Sequence, residues 1–136
     1  MRHATYVLQS ILSVCGKSST QHEFGDWWSG LTEDEQVALA ERVNQLQERG
    51  PDLRRPVVGE VKGSKNDPQM KELRASAGQA DLRVLFIFDP TRTAILLLGG
   101  NKAEHGWNRW YRSAIRAADG LYDEHLFELR KEGLIE

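Results

Sequence analysis

Two apolar runs joined by a turn constrain this sequence more than any other feature. Leu82, Val84, Phe86 and Phe88 alternate with Arg83, Leu85, Ile87 and Asp89, which is the period of a strand with one strongly apolar face. Asp89-Pro90-Thr91-Arg92 follows, a set of residues suited to a tight turn. Ala94 to Leu98 is then apolar throughout. Runs of this kind across so short a link predict an antiparallel hairpin.

The rest of the chain is arranged around that hairpin. Residues 5–14 suit a strand or a short buried helix, the run being too short for periodicity to decide. Cys15 to Gln21 reads as a loop, and a short helical piece spans Glu23–Trp28 and ends near Gly30. Thr32-Glu33-Asp34-Glu35 is a capping-box signature. Val37, Leu39, Ala40, Val43 and Leu46 form an apolar stripe behind it, until Arg49-Gly50-Pro51 stops the helix. Val57 to Gly63 is a strand candidate and Ser64 to Pro68 a turn. Met70 to Ala75 suits strand or helix by propensity, and the hairpin after it favours strand. Beyond Gly99-Gly100 a helical period returns, with Trp107, Trp110, Tyr111 and Ile115 on one side. Asp119 is positioned to cap a last helix running through Leu129. The order predicts one α+β domain.

Charge narrows the function classes by its distribution. The 136 residues carry a net charge of −2, which gives no general case for nucleic-acid binding. Residues 54–116, however, hold 12 Lys+Arg against 6 Asp+Glu, and both flanks are acidic. A basic middle between acidic ends can form one polyanion-binding face, or can simply interleave on a solvated surface. One cysteine, Cys15, excludes an intramolecular disulfide framework and suits a reducing cytoplasm. No apolar run approaches the ~20 residues of a membrane helix. Gln9 and Ser10 interrupt the N-terminal apolar patch, which argues against a signal peptide. His3, His22, His105 and His125 lack ligand spacing, so neither a metal nor another cofactor is expected. Walker and dinucleotide-binding fingerprints are absent from the sequence.

What remains is a basic set at marked places. Arg74 lies in the Met70–Ala75 run, Arg83 on the polar face of the best strand, and Lys102 just after Gly99-Gly100. Tyr111 and Arg112 come at the next helix. If the strands are antiparallel neighbours, Arg74 and Arg83 share a face, with Lys102 and Tyr111 closing the edge of a shallow concavity. Three cations with a phenol can bind phosphate and move protons, or the cations can be salt-bridged to Glu72, Asp81 and Asp89. The tryptophans pose a similar choice between base-stacking platforms and core anchors. Trp28 and Trp110 read as core, while Trp107 stays open.

In order, the chain contains Gly50-Pro-x-Leu-x-Arg-Pro56, Lys62-Gly-Ser, Met70-Lys-Glu-Leu-Arg74, Arg83-Val-Leu-Phe-x-Phe-Asp-Pro90, Ile95-Leu-Leu-Leu-Gly-Gly-Asn-Lys102, Trp107-x-x-Trp-Tyr111, Ala118-Asp and Tyr122-x-x-His-Leu126. This succession, over about residues 23–130, resembles the HigB-like toxins of the RelE/ParE superfamily of bacterial type II toxin–antitoxin systems, phage-derived members included. The resemblance implies a toxin domain over 23–136, preceded by a strand or tail at 1–22. Its implied fold is a small antiparallel sheet with N-terminal helices packed on one side and a C-terminal helix.

The implied activity is metal-independent cleavage of messenger RNA on the ribosome, in the cytoplasm, with a helix-turn-helix antitoxin of the HigA kind as partner. Arg74, Arg83, Lys102 and Tyr111 then become the implied catalytic set, Tyr111 acting as a base if the nearby cations lower its pKa. Lys62, Lys65, Trp107 and Arg112 become RNA contacts. Two further outcomes of the same ancestry are a ParE-like gyrase poison and an inert antitoxin-binding domain. The chain departs from the RelE pattern at Glu72, where a strand lysine is usual. An unpaired carboxylate there would repel RNA, and would either shift the cationic work to Lys62 or Lys65 or leave activity low.

Overall fold

The computed structural model describes residues 19–136, with side chains from Phe24 onward. The expectations for residues 5–14, for Cys15 and for most of the 1–22 segment lie outside the described residues. Four strands, Val58–Glu60 (β1), Lys71–Ala77 (β2), Ala80–Phe88 (β3) and Ala94–Asn101 (β4), form one antiparallel sheet in sequence order. Helices Ser19–Ser29 (α1), Glu33–Arg49 (α2) and Trp107–Lys131 (α3) complete the fold. The α+β expectation holds. No helix among the described residues is long and apolar enough to cross a membrane.

The sheet is buried on both faces, more fully than the alternation in β3 alone suggested. Leu82, Val84 and Phe86 pack with Leu73, Leu96 and the α2 residues Leu39, Val43 and Leu46. Leu85 and Ile87, on the opposite side of the same strand, pack with Leu97 and with Ala114, Ile115 and Ala118 of α3. The N-terminal helices therefore cover one face and α3 the other. Burying each such aliphatic side chain stabilises the fold by about 1.5–3 kcal/mol before conformational entropy is counted.

Local sequence explains most boundaries. Thr32 Oγ1 accepts from Glu35 N and Glu35 Oε1 accepts from Thr32 N, so the capping box forms as read. Val37 is the exception on the apolar stripe, being 54% exposed, because it falls on the flank of the helix turned from the sheet. α1 begins at Ser19, inside the stretch read as a loop. At the β3–β4 turn, Asp89 Oδ1 accepts from the backbone of Thr91 and Thr93 and from the Thr91 hydroxyl.

The expectation that Asp119 starts a separate last helix is overturned. A single helix runs from Trp107 to Lys131, and Asp119 is buried in its middle. Its carboxylate instead accepts from Ser64 Oγ at 2.6 Å, Lys65 N at 3.0 Å and Asn66 Nδ2 at 2.7 Å. A side chain suited to capping is used here to tie down a distant loop, satisfying a buried charge that would otherwise be costly.

Candidate functional site

Antiparallel register brings the two strand arginines together: Arg74 on β2 lies directly opposite Arg83 on β3. Like charges facing each other across a ladder repel, and the residue two positions along β2 resolves the conflict. Glu72 projects from the same face. Its Oε2 accepts from Arg74 Nε at 2.9 Å and lies 3.6 Å from Arg83 Nε. The outer side of Arg83 is held by Asp81, whose two oxygens lie 2.7 and 3.4 Å from NH1 and NH2. Glu72 is therefore paired, as the salt-bridge alternative has it, and is not the unpaired carboxylate that would repel RNA.

β1 makes room for this arrangement. Gly59 pairs with Glu72, and a Cβ at Gly59 would run into the Arg74 guanidinium. The missing side chain lets Arg74 fold back over the strand toward Glu72. Side-chain exposure then ranks the cluster: Arg74 is 31% exposed, Arg83 11% and Glu72 8%. Arg74 is the arm that solvent reaches, while Glu72 and Arg83 form the floor.

Tyr111 enters from the second turn of α3 and donates its hydroxyl to Glu72 Oε1 at 2.8 Å. Burial and the hydrogen bond to Glu72 push the Tyr111 phenol well above its ordinary value, outweighing the opposing pull of Arg74 and Arg83. The pull of the cations is thus too weak to bring this pKa below its ordinary value, as a tyrosine base would need. Tyr111 is a proton donor here.

Of the sequence-selected catalytic set, the structure gathers Arg74, Arg83 and Tyr111 around Glu72. Lys102 is exposed. Its backbone amide donates to Asp81 O at 2.7 Å, and its ammonium has no ion-pair partner among the described residues. Of the RNA-contact set, Trp107 stacks on Tyr111 with ring centroids 5.2 Å apart and on Trp110 at 4.8 Å. Lys62 is exposed, and Lys65 is paired with Asp123 on α3. Arg112 is exposed with Arg109 and Arg116. Their i, i+3, i+7 spacing gives one basic stripe on α3, unpaired among the described residues.

The salt-bridge alternative holds for Glu72 and Asp81 but not for Asp89, which pairs with His125 Nε2 at 2.7 Å. Glu72 and Asp81 were read from sequence as possible counter-ions, but the role of Glu72 as the common partner of Arg74, Arg83 and Tyr111, and of Gly59 as the space for Arg74, was not. The i, i+2 spacing of Glu72 with Arg74, and of Asp81 with Arg83, is the signal that carries the two pairings. Among the described residues no three His, Cys, Asp or Glu side chains come together as a metal-ligating group.

Comparison with known proteins places these residues in a wider set. The family described as "Phage derived protein Gp49-like" matches residues 26–123. A Mycobacterium tuberculosis protein named "Putative toxin HigB2" is 39% identical over 124 residues, covering 88% of this chain and 61% of its own length. A second from the same organism, "Putative toxin HigB3", is 44% identical over 93 residues, covering 68% of this chain and 78% of its own. The chain thus spans less than two thirds of the first relative's length. No solved structure matches it.

Proposed function

Because this chain belongs to the family of phage-derived Gp49-like proteins, with two proteins named as HigB toxins among its relatives, we propose that it is the toxin of a toxin–antitoxin pair, cleaving messenger RNA on the ribosome. The observation that carries this reading is the Glu72-centred cluster, in which one carboxylate is hydrogen-bonded by the Arg74 guanidinium and the Tyr111 phenol and ion-paired with the Arg83 guanidinium at 3.6 Å. The reaction is attack of a ribose 2′-oxygen on the adjacent phosphorus. The bond from phosphorus to the 5′-oxygen breaks, leaving a 2′,3′-cyclic phosphate and a 5′-hydroxyl.

Each step has a group suited to it. Arg74, the more exposed cation, receives the phosphate, and Arg83, fixed by Asp81, stabilises the charge that develops on the pentavalent phosphorus. Glu72 takes the proton from the 2′-hydroxyl once phosphate has drawn off its guanidinium partners. Tyr111 gives its proton to the departing 5′-oxygen. Lys102, the α3 arginine stripe and Lys62 bind flanking phosphates, Lys65 joins them when it leaves Asp123, and Trp107 offers a face for a base. A helix-turn-helix antitoxin of the HigA kind is the proposed partner, and the cytoplasm the proposed compartment.

The test incubates the purified protein with chelator and either free or ribosome-bound message, then maps new 5′ ends by primer extension. Cleavage confined to ribosome-bound message supports the reading. Cleavage of free RNA instead makes the protein a ribosome-independent ribonuclease. Intact messages with broken DNA in expressing cells identify a gyrase poison.

A further inference from the structure

A second concavity, separate from the Glu72 cluster, lies beside β4. Its origin is the Gly99-Gly100 pair, whose positions point to opposite faces of the sheet. A Cβ on Gly99 would collide with the Trp27 ring, and one on Gly100 with the Trp110 ring. Each indole therefore lies against bare backbone, one from α1 and one from α3, and the two wall a groove along the end of the sheet. The groove has a volume of about 480 Å³, and Trp107 closes a third side. A neighbouring hollow shares Asp26, Trp27, Gly99 and Trp110 with it and runs on past Leu98, Ala114 and Ala117. Together they make a trench of peptide dimensions, aromatic at one end and small and apolar along the other.

The charge of the trench selects its ligand. Asp26, Glu35 and Glu104 line it, and no lysine or arginine does. Asp26 and Glu104 are exposed and free of ion pairs among the described residues. Glu35 uses Oε1 on its own helix cap. His105 is the one lining residue able to become cationic. Phosphate is repelled by such a lining, so the trench does not carry the RNA backbone, and Trp107, whose ring also stacks on Tyr111, is the one wall it shares with the proposed RNA face. A cation is favoured twice, by the carboxylates and by the negative faces of the indoles, which attract a guanidinium more strongly than any other aromatic ring does.

We propose that this trench is a docking site for an arginine-bearing segment of a protein partner, the guanidinium lying among Trp27, Trp107 and Trp110 against Asp26 and Glu104, with small apolar residues following along α3. A planar guanidinium fits better than an ammonium, since it stacks on an indole while its N–H groups reach carboxylates in the ring plane. The inference does not depend on the proposed nuclease activity, because none of the Glu72 cluster lines the trench.

The test titrates the full-length protein with N-acetyl-Gly-Arg-Ala-amide, following indole fluorescence and the heat of binding. The peptide with citrulline, a neutral near-isostere of arginine, serves as control. The arginine peptide is expected to saturate the signal at least tenfold more tightly than the citrulline peptide. The Asp26→Asn/Glu104→Gln double variant, altered at two exposed positions, is expected to lose that preference while keeping its melting temperature. Equal affinity for the two peptides, no saturable signal, or a preference unchanged in the double variant overturns the proposal. Message cleavage by the double variant is read separately, so failure of the docking site is distinguishable from failure of the nuclease reading.

Discussion

The Tyr111 hydroxyl donates to Glu72 Oε1 at 2.8 Å, while the other oxygen of the same carboxylate accepts from Arg74 Nε at 2.9 Å. One buried acid thus joins the helix on one side of the cluster to the strands beneath it. The resting site is electrically closed, with the two guanidiniums balanced by Glu72 and Asp81, and substrate phosphate must compete for them.

Glu72→Ala removes the shared partner of two cations and a phenol. Breaking a buried ion pair leaves uncompensated charge and costs about 3–5 kcal/mol when both partners are fully buried. With Arg74 about a third exposed, solvent screens part of that cost, and a loss of roughly 2 kcal/mol is expected. Urea unfolding measures it. Glu72→Gln, which keeps the shape and one acceptor, is expected to fall between wild type and Glu72→Ala in stability, yet to lose message cleavage as fully as the alanine variant.

Tyr111 supplies a pH dependence of definite sign. Its pKa is raised by burial and by Glu72, so its contribution to stability is fully present below the unfolded value of about 10 and is lost as pH rises above it. Thermal melts between pH 8 and 11.5 are expected to fall more steeply for wild type than for Tyr111→Phe. The same variant is expected to slow cleavage by roughly a hundredfold or more through loss of the proton donor. Parallel alkaline slopes in the two proteins would contradict the assignment.

Asp89 gives the opposite sign. Burial raises its pKa, but hydrogen bonds from His125, the Thr91 hydroxyl and the Thr93 amide outweigh this and hold the carboxyl below its ordinary value. Its contribution is therefore present above the unfolded value of about 3.9 and is lost as pH falls through the lower folded one. Asp89→Asn is expected to lower the neutral-pH melting temperature and to flatten the decline between pH 5 and 2.5.

Gly59→Ala separates position from stability. The added Cβ displaces only the far end of a flexible arginine, so the stability change is expected to stay within about 1 kcal/mol. Arg74 is nevertheless driven from Glu72, and cleavage is expected to drop at least tenfold. Unchanged cleavage would show that Arg74 need not rest where Gly59 allows it.

The hairpin, the capping box and the strand arginines were legible in the sequence because each is a local signal: period two, a four-residue cap, and a side chain's position within a strand. What was not legible depends on register across the sheet. Glu72 reads as a misplaced acid until β2 and β3 are aligned and Arg74 faces Arg83, when it becomes their common counter-ion. Asp119 reads as a helix cap because its real partners, Ser64, Lys65 and Asn66, lie more than fifty residues away. Gly99-Gly100 reads as the end of a strand, and only packing shows two indoles seated on it.

The central claim is that Arg83, fixed between Glu72 and Asp81, stabilises the charge of a breaking RNA phosphodiester. The most direct measurement is the single-turnover rate of message cleavage on programmed ribosomes by wild type and Arg83→Ala, with both proteins shown folded by circular dichroism. A loss of about a hundredfold or more, the cost of removing one such charge-stabilising donor, with ribosome binding retained, is the predicted result. A rate within threefold of wild type would contradict it and return the cluster to a purely structural role.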